Sequence, residues 1–430
     1  MEGDRQFEEI GARSCQRAVE QAEGNLVHET RSAPVIDRVP NPTRRHGRVL
    51  LGAYPHAVIS DRIVSVEAIP LEARFAQLFK FGTVDRRRSS NVVLRIRTDS
   101  GAVGYGEACP VGAFTSETQE SIVDLIESVV SSALVGRSAV DRAPLLDDLA
   151  AKLPKAPFTL AAADIGLLDL QGKLSGLPAS ALLGGAFRQS LEVHGSVGWD
   201  DDPAAMVATA TAQLGAGYGT LKLYAGRGNV EEDVDRIRRV RASVPDSVRF
   251  LLDVNGLWSQ ADCTWALPHL AELGVVMVEQ PLAPTDPVGL AAATATNLVN
   301  IGLDESVFLP SDVVAAAAGG RGHSVNLGIS KLGGPTRAMA CATVCRAARL
   351  GVFVGSVLEL GIANAAGIHV AAAQAELAFP SYLVGPLKYV RDVVATRLQV
   401  VDGRIPVPTG AGLGIEVDDS ALAAMDLRRR

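Results

Sequence analysis

From about residue 191 onward, the sequence alternates short apolar runs with Gly- and Ala-rich amphipathic stretches, and this alternation restricts the fold more than any other feature. Stretches such as PAAMVATATAQLGAG have the apolar spacing of helices, and the runs have the length of buried strands. The candidate strands are LEVHGSV, GTLKLYA, RFLLDVN, VVMVEQ, NIGLDE, HSVNLGI and GVFVGSV. Seven consecutive strand–helix units predict a parallel barrel rather than an open sheet.

Three successive runs each end in an acidic residue, at intervals of 26 and 25 residues: Asp253, Glu279 and Asp304. Parallel strands of a barrel end at one rim, so the three carboxylates are expected to converge there. Three hard oxygen ligands without Cys or His suit Mg²⁺, or Mn²⁺, better than zinc. A single acidic residue in this place is often a helix N-cap, but three in register favour a metal site. Strand alternation predicts that the adjacent Glu305 points elsewhere.

The composition argues against several classes of function. A formal net charge of −7 at pH 7 and the lack of a basic stripe argue against a nucleic-acid partner. No apolar run approaches the length of a membrane span, and the acidic N-terminus lacks the apolar core of a signal peptide. The five cysteines show no framework spacing, which is typical of a reducing compartment. We therefore expect a soluble cytoplasmic protein with neither nucleic-acid nor membrane partners.

The chain of 430 residues is long enough for two domains and an appendage. Residues 1–60 are polar and lack periodicity, so we predict a disordered extension, with a mis-assigned start of the chain as the alternative. Residues 61–188 pass from alternating strands to helical patterns and are predicted to form an α+β domain. The barrel is predicted over residues 189–395, and residues 396–425 are expected to complete the N-terminal domain.

Turn and stop signals mark the ends of several predicted elements. Asp99–Gly101 is predicted to join two strands of the N-terminal domain. Gly176 is expected to end the helix TLAAADIGLLDLQGKLS, because glycine adopts the left-handed cap conformation readily. Asp402–Gly403 is predicted to be the turn of a late hairpin.

Several motifs occur in an order and spacing that resemble the enolase superfamily, in its mandelate racemase and muconate-lactonizing branch. The resemblance covers residues 62–418, and each motif is weak by itself. Besides the acidic trio, the motifs are GAVGYGEACP at 101–110, AAADIGLLDLQGKLSGLPASALLGG at 161–185, SKLGGPTRA at 330–338, GSVLELG at 355–361 and VPTGAGLG at 407–414. The resemblance implies an α/β protein: a modified TIM barrel, (β/α)₇β, under an α+β enolase-type N-terminal capping domain. It also implies a homo-oligomer, and loops around residues 73–90 and 109–115 that close over the substrate.

By the same resemblance, the acidic trio binds an essential Mg²⁺, and the substrate is a small-molecule carboxylate. Removal of the proton α to a carboxylate creates a dianionic enolate, which a divalent ion stabilises as a fixed Lewis acid. Asn255 shares the strand face of Asp253 and is predicted to contact the substrate or support the site. Glu359 matches a common glutamate of the family, and we predict that it hydrogen-bonds the substrate or acts as an acid, with helix capping as the alternative.

The sequence departs from the branch at both of its usual catalytic lysines. The branch carries Lys-x-Lys at the end of the second barrel strand, and here the residues are Lys222 and Tyr224. Lys222 is expected to polarise the substrate carboxylate. Tyr224 becomes the leading catalytic candidate, as an acid, or as a base if the metal and Lys222 lower its pKa from about 10. The opposing base is replaced by Gly328, which leaves space, while Lys331 remains as a second catalytic candidate or as an ion-pair partner of nearby carboxylates.

These departures favour chemistry on one face of the substrate. We predict a Mg²⁺-dependent cycloisomerase or syn-eliminating lyase that works through α-proton abstraction and a metal-stabilised enolate. One alternative is a racemase or epimerase of the same family that uses Lys331. Another is a catalytically silent homologue that binds metal or ligand. The strand ends carry neither the His nor the Asp-x-Asp of related branches, which favours an apolar or modestly polar carboxylate substrate.

Overall fold

Three antiparallel strands open the described part of the chain: β1 (Ile63–Phe81), β2 (Val84–Thr98) and β3 (Val103–Ala108). A computed structural model describes residues 61–429, so the extension predicted for residues 1–60 lies outside the described residues. The turn predicted at Asp99–Gly101 joins β2 to β3. Gly101 has a φ of 89° there, in the region that favours glycine.

Helices cover one face of this sheet, and the longest packs against β3. They are α1 (Gln119–Leu125), continued by a π-helical turn (Ile126–Val130), α2 (Ser131–Leu134), α3 (Arg142–Lys152), α4 (Pro157–Ser175) and α5 (Ala179–Leu182). As predicted, α4 ends at Gly176, whose φ is 70°. A Cβ at Gly106 of β3 would lie 1.9 Å from the Ala162 carbonyl oxygen. The glycines of the GAVGYGEA motif therefore permit close packing of strand on helix.

Seven parallel strands follow a short strand, β4 (Ser190–Glu192), and their order in the sheet is their order in the chain. They are β5 (Gly195–Val197), β6 (Thr220–Tyr224), β7 (Arg249–Asp253), β8 (Val275–Glu279), β9 (Asn300–Leu303), β10 (Ser324–Asn326) and β11 (Gly351–Phe353). Every residue of β6 is buried, which explains why such strands are continuous apolar runs. The first predicted strand is divided between β4 and β5.

Helices alternate with these strands, and local signals fix their starts. They are α6 (Pro203–Gly215), α7 (Val230–Ala242), α8 (Gln260–Glu272), α9 (Pro287–Ala295), α10 (Pro310–Ala318), α11 (Ile329–Leu332), α12 (Pro335–Ala347) and α13 (Gly361–Ala372). Ser259 and Asp262 form a capping box at the start of α8. The Asn229 side chain accepts a hydrogen bond from Glu231 N at the start of α7.

The segment around Ser381 and Tyr382 closes the curled sheet at the eighth position. Tyr382 N donates to the Val354 carbonyl (2.9 Å), just beyond β11. On the other side, Ser381 N donates to the Glu192 carbonyl (3.0 Å), and His194 N donates to the Ser381 carbonyl (3.2 Å). These bonds join the two ends of the sheet, and the predicted modified TIM barrel with its N-terminal cap is confirmed.

The end of the chain returns to both parts of the molecule. After the predicted turn at Asp402–Gly403, β12 (Arg404–Pro406) pairs antiparallel with β4 in a separate two-stranded sheet, directly before the first barrel strand. A last helix, α14 (Asp419–Met425), precedes Asp426, which forms a bridge with Leu71 of β1. Among the described residues, no helix combines the length and apolar character needed to cross a bilayer.

The cap and the barrel meet at a buried carboxyl, Glu107, near the end of β3. It accepts hydrogen bonds from Asn91 Nδ2 (2.7 Å) and from the backbone N–H groups of Leu360 (2.7 Å) and Ala363 (2.9 Å), at the start of α13. Burial raises the pKa of Glu107 to about 8, although the two backbone donors act in the opposite direction. Asn91 Oδ1 is buried without a hydrogen-bond partner; with the side-chain amide flipped, this oxygen would accept a hydrogen bond from the protonated carboxyl of Glu107.

Stability is therefore expected to fall with rising pH. Folding raises the pKa of Glu107 from the usual 4.5 to about 8, so in that interval the folded state holds a proton that the unfolded state has released. The free energy of unfolding should decrease between about pH 5 and pH 8, less steeply in Glu107→Gln. Urea unfolding at successive pH values measures both slopes, with the exposed Asp124→Asn as control. An identical slope in Glu107→Gln would assign the effect to other groups.

Candidate active site

The barrel interior changes from apolar to charged at the carboxyl ends of its strands. Leu251 and Met277 pack with Phe353 inside the barrel. Two residues further along the same strands, Asp253 and Glu279 lie directly opposite each other in the sheet register. Both are buried, as is Asp304 just after β9. The spacing of the acidic residues therefore brings the three carboxylates to one rim, as predicted.

Lys222 of β6 bridges two of these carboxylates. Its Nζ lies 2.6 Å from Asp253 Oδ2 and 2.7 Å from Glu279 Oε2. Burial lowers the pKa of Lys222, but attraction to Asp253 and Glu279 outweighs that effect, and the pKa lies well above its ordinary value. Lys222 is therefore a fixed positive charge inside the acidic rim.

Lys331 is held by the loop that follows β9. Its Nζ donates to the backbone carbonyls of Asp304 (2.9 Å) and Val307 (2.6 Å), and lies 3.4 Å from Asp304 Oδ1. Only 2% of the residue is exposed, and it does not line the cavity described below. This arrangement supports the ion-pair interpretation of Lys331. A Cβ built at Gly328 would lie 3.4 Å from Cε of Lys331, which is an ordinary van der Waals distance, so a methyl group would fit there and the stem of Lys331 borders the space.

Tyr224 ends β6 and lines the cavity beside Lys222. Its ring meets that of Phe79 edge-on, with 5.8 Å between centroids. Burial raises the pKa of Tyr224 well above its ordinary value, and the attraction of Lys222 opposes this only in part. Lys222 alone therefore does not lower the pKa of Tyr224 as a catalytic base would require. A neutral phenol remains, which is suited to donating a proton.

The cavity at the rim encloses about 440 Å³, including solvent at its mouth. Both predicted closing segments reach it, since Phe79 and Phe114 line it from the cap. Residues 73–90 form the end of the β1–β2 hairpin rather than the predicted loop, and the pairing of the two strands is irregular between Arg74 and Phe79. Arg227 anchors its tip by donating to the Gly82 carbonyl and to Asp85 Oδ1. The cap therefore supplies aromatic walls above a charged floor.

Two amides that sequence reasoning did not assign to the site fix the orientation of the acidic residues. Asn326 Nδ2 donates to Glu279 Oε1 (2.8 Å), and Asn326 Oδ1 accepts from Gly355 N (2.8 Å). Gln280 Oε1 accepts from Asp304 N (3.0 Å). Their positions could have revealed them, because Asn326 ends a barrel strand and Gln280 directly follows the candidate ligand Glu279.

The two residues predicted to bind substrate have different surroundings. Asn255 lines the cavity, and its Nδ2 donates to Glu305 Oε1 (3.2 Å). Glu305 therefore lies beside the acidic residues of the rim, contrary to the expectation from strand alternation. The expectation fails because the strand ends at Leu303, so side chains beyond it no longer alternate between the two faces. Burial, and then Asp304 and Asp253, raise the pKa of Glu305 well above its ordinary value. Glu359 accepts from two serine hydroxyls and is absent from the cavity lining.

As the side chains stand, no three His, Cys, Asp or Glu residues between 61 and 429 form a group ready to hold a metal ion, since Lys222 bridges two of the acids. The donor set nevertheless fits a hard divalent cation. Glu279 Oε2 and Asp304 Oδ1 are buried and accept no hydrogen bond, although each lies near a lysine. Burial raises the pKa of Asp253 to about 6 and that of Asp304 to about 7. Buried oxygens of this kind need positive charge nearby, and carboxylates are the preferred ligands of Mg²⁺.

Comparison with known families agrees with this geometry. Residues 66–184 match the family described as mandelate racemase/muconate lactonizing enzyme, N-terminal domain. Residues 205–421 match the family described as enolase C-terminal domain-like. The two matches follow each other along the cap and the barrel.

Individual relatives are isomerases of two kinds. Muconate cycloisomerase 1 of Rhodococcus opacus is 28% identical, over 84% of this chain and 97% of its own. L-Ala-D/L-Glu epimerase of Bacillus subtilis is 30% identical, over 82% of this chain and 96% of its own. The structure of muconate lactonizing enzyme from Pseudomonas fluorescens, complexed with muconolactone, has a TM-score of 0.83 at 29% identity and covers 85% of this chain and 100% of that one.

Proposed function

This chain belongs to the mandelate racemase/muconate lactonizing enzyme family of the enolase superfamily, and on that premise we propose a Mg²⁺-assisted isomerase that moves a proton at one face of a carboxylate substrate. The observation that carries the proposal is that only one side of the substrate site carries a side chain able to move a proton. Tyr224 lines the cavity, whereas Gly328 stands where the family resemblance expects a lysine, and Lys331 is bound to backbone carbonyls. One proton-moving side chain suits cycloisomerisation better than racemisation, which needs such a group on each face.

The acidic rim forms the electrophilic half of the proposed site. Asp253, Glu279 and Asp304 would hold Mg²⁺, which when bound stabilises negative charge on the enolate oxygens. Lys222 remains an ammonium beside these carboxylates and adds positive charge where the substrate carboxylate lies. Phe79 and Phe114 line the cavity from the cap and would limit the access of water to the reacting carbon when substrate is bound.

Tyr224 supplies the proton in the proposed cycloisomerisation. A carboxylate oxygen of the substrate adds to a carbon–carbon double bond, and the electron pair of that bond moves to form the enolate. The phenol then gives its proton to the α-carbon and regains one from solvent, so one proton is consumed for each lactone formed. In the reverse direction, the α-proton and the β-oxygen leave from one face, which is a syn elimination.

Incubation of the Mg²⁺-loaded protein in D₂O with cis,cis-muconate, and separately with L-Ala-L-Glu, tests this proposal. We expect lactone with deuterium in one configuration at the α-carbon, observed by NMR, and no epimerisation of the dipeptide. Epimerised, deuterated dipeptide would contradict the one-face reaction and favour a racemase that uses Lys331. Retained Mg²⁺ binding without reaction of either compound would favour a catalytically silent homologue.

A further inference from the structure

Four consecutive residues shortly after β11 form one wall of the candidate active-site cavity. All of residues 355–358, the wall segment, line the cavity, and none of them belongs to a helix or a strand. Leu358 at its end has a φ of 65°, in a region that leucine rarely adopts. Such a backbone conformation persists only where surrounding contacts hold it in place. The shape of this wall therefore depends on bonds from neighbouring parts of the molecule.

Three side chains from outside the barrel strands hold the carbonyl groups of the wall segment. Arg86 of β2 donates from Nη1 to the Val357 carbonyl (2.8 Å). The Tyr389 hydroxyl donates to the Leu358 carbonyl (2.6 Å), and Cys109 Sγ lies 3.7 Å from the same oxygen. Arg86 is the charged member of this group, and hydrogen bonds from charged donors are stronger than those from neutral ones. The cap therefore grips the wall segment chiefly through Arg86.

Arg86 is itself buried and fixed within the hairpin of the cap. Its Nη2 donates to Ser89 Oγ (2.7 Å), and its guanidinium lies 5.1 Å from the centroid of the Phe75 ring, which stacks on Tyr389. Its polar partners are a carbonyl, a hydroxyl and the Cys109 thiol, so within residues 61–429 its removal breaks no salt bridge. A variant at Arg86 can therefore test the grip on the wall segment without leaving a buried carboxylate unpaired.

Arg86 connects two walls of the cavity with the acidic rim. Phe79, which lines the cavity from the cap, lies opposite Arg86 in the register of β1 and β2. At the other end of the wall segment, Gly355 N donates to Asn326 Oδ1 (2.8 Å), and Asn326 Nδ2 donates to Glu279 Oε1 (2.8 Å). The hydrogen bond from Arg86 to Val357 therefore joins the hairpin to the segment that helps to orient a proposed metal ligand.

We infer that Arg86 is a positioning residue, which couples the cap hairpin to the wall segment and orders the cavity before substrate binds. This role rests on the proposed function, because the substrate and its reaction are those proposed above. Without the Arg86 bond, the wall segment has its binding-competent shape for only part of the time, and the apparent dissociation constant of the substrate rises in inverse proportion. Once substrate is bound, the wall is ordered again and proton transfer from Tyr224 proceeds as before.

Steady-state kinetics of Arg86→Met with cis,cis-muconate and Mg²⁺ tests this role. We expect KM to rise at least about tenfold and kcat to change by less than about threefold. Arg86→Lys, which keeps a charged donor, should recover most of the native KM. Arg88→Met, on the same hairpin but with an exposed side chain, should behave like the native protein. A merely structural role would reduce the folded fraction and so lower kcat at unchanged KM; that result, or a native KM in Arg86→Met, would overturn the inference.

Hydrogen exchange of the same proteins, followed by mass spectrometry, tests the coupling without turnover. We expect the amides of Gly355 and Leu358, which donate to neighbouring side chains, to exchange at least about tenfold faster in Arg86→Met, with the other barrel strands unchanged. Tyr389→Phe, which loses only the hydroxyl bonded to Leu358, should show the same local change and also a raised KM, so the test survives if Arg86→Met does not fold. Exchange that quickens throughout the barrel, or nowhere, would overturn the inference.

The two measurements separate this inference from the proposed function. Faster exchange confined to the wall segment, with no lactone formed by the native protein, would keep the coupling and refute the function. Lactone formation with native exchange and native KM in Arg86→Met would keep the function and refute the coupling.

Discussion

Replacement of Tyr224 by Phe is expected to lower kcat by about 10³-fold while KM changes by less than about threefold. The substitution removes only the hydroxyl, and the ring retains its edge-on contact with Phe79. Substrate therefore still binds, but the phenol can no longer give its proton to the α-carbon in the transition state. Steady-state kinetics, with the substrate that reacts in the D₂O experiment described above, measures kcat and KM separately. Unchanged kcat would refute a catalytic role for Tyr224.

Two comparison variants sharpen this test. Tyr105→Phe removes a tyrosine hydroxyl from the cap sheet and is expected to leave kcat unchanged, since that ring lies against Lys173 rather than the cavity. Lys331→Met is expected to destabilise the fold by about 3 kcal/mol, because it leaves buried Asp304 without its lysine. A Lys331→Met protein with normal thermal stability and Mg²⁺ affinity, but a larger kcat loss than Tyr224→Phe, would establish the racemase alternative.

The barrel and the acidic rim could be predicted because both follow from periodicity. A parallel strand buried on both faces must be a short apolar run, and its carboxyl end must lie on the same rim as its neighbours. Asp253 and Glu279 are consequently opposite each other in register. The cap was inferred from motif order, and the close approach of Gly106 to Ala162 explains one of those motifs in steric terms.

Other features depend on contacts that no local pattern contains. Lys331 is a candidate base by sequence, but its ammonium is held by the carbonyls of a loop 24 to 27 residues away. Glu305 follows β9, where strand alternation no longer governs its direction. The expected homo-oligomer and cytoplasmic location, the domain boundaries and the individual residue roles remain predictions.

Glu279→Gln is expected to abolish both activity and the stabilisation of the protein by Mg²⁺. Glu279 lies on the strand between those that lead to Asp253 and Asp304, so its loss removes one ligand charge from the middle of the proposed site. For the native protein, saturation to about 100 times Kd should add about 2.7 kcal/mol to the free energy of unfolding, visible as a rise in Tm that a chelator reverses. The variant should show no such rise, and the exposed Glu376→Gln should behave like the native protein.

Without Mg²⁺, the Glu279→Gln protein is expected to be no less stable than the native protein. Three buried carboxylates face two lysines at the rim, and the substitution leaves two acids for the two cations Lys222 and Lys331. Clustered carboxylates of a metal site lower the stability of the metal-free protein, because buried like charges repel one another until a cation binds between them. Thermal denaturation in the presence of chelator tests this directly. A Glu279→Gln protein that is much less stable without metal, yet still rises in Tm with Mg²⁺, would show that the rim is a structural ion-pair network and that the metal binds elsewhere.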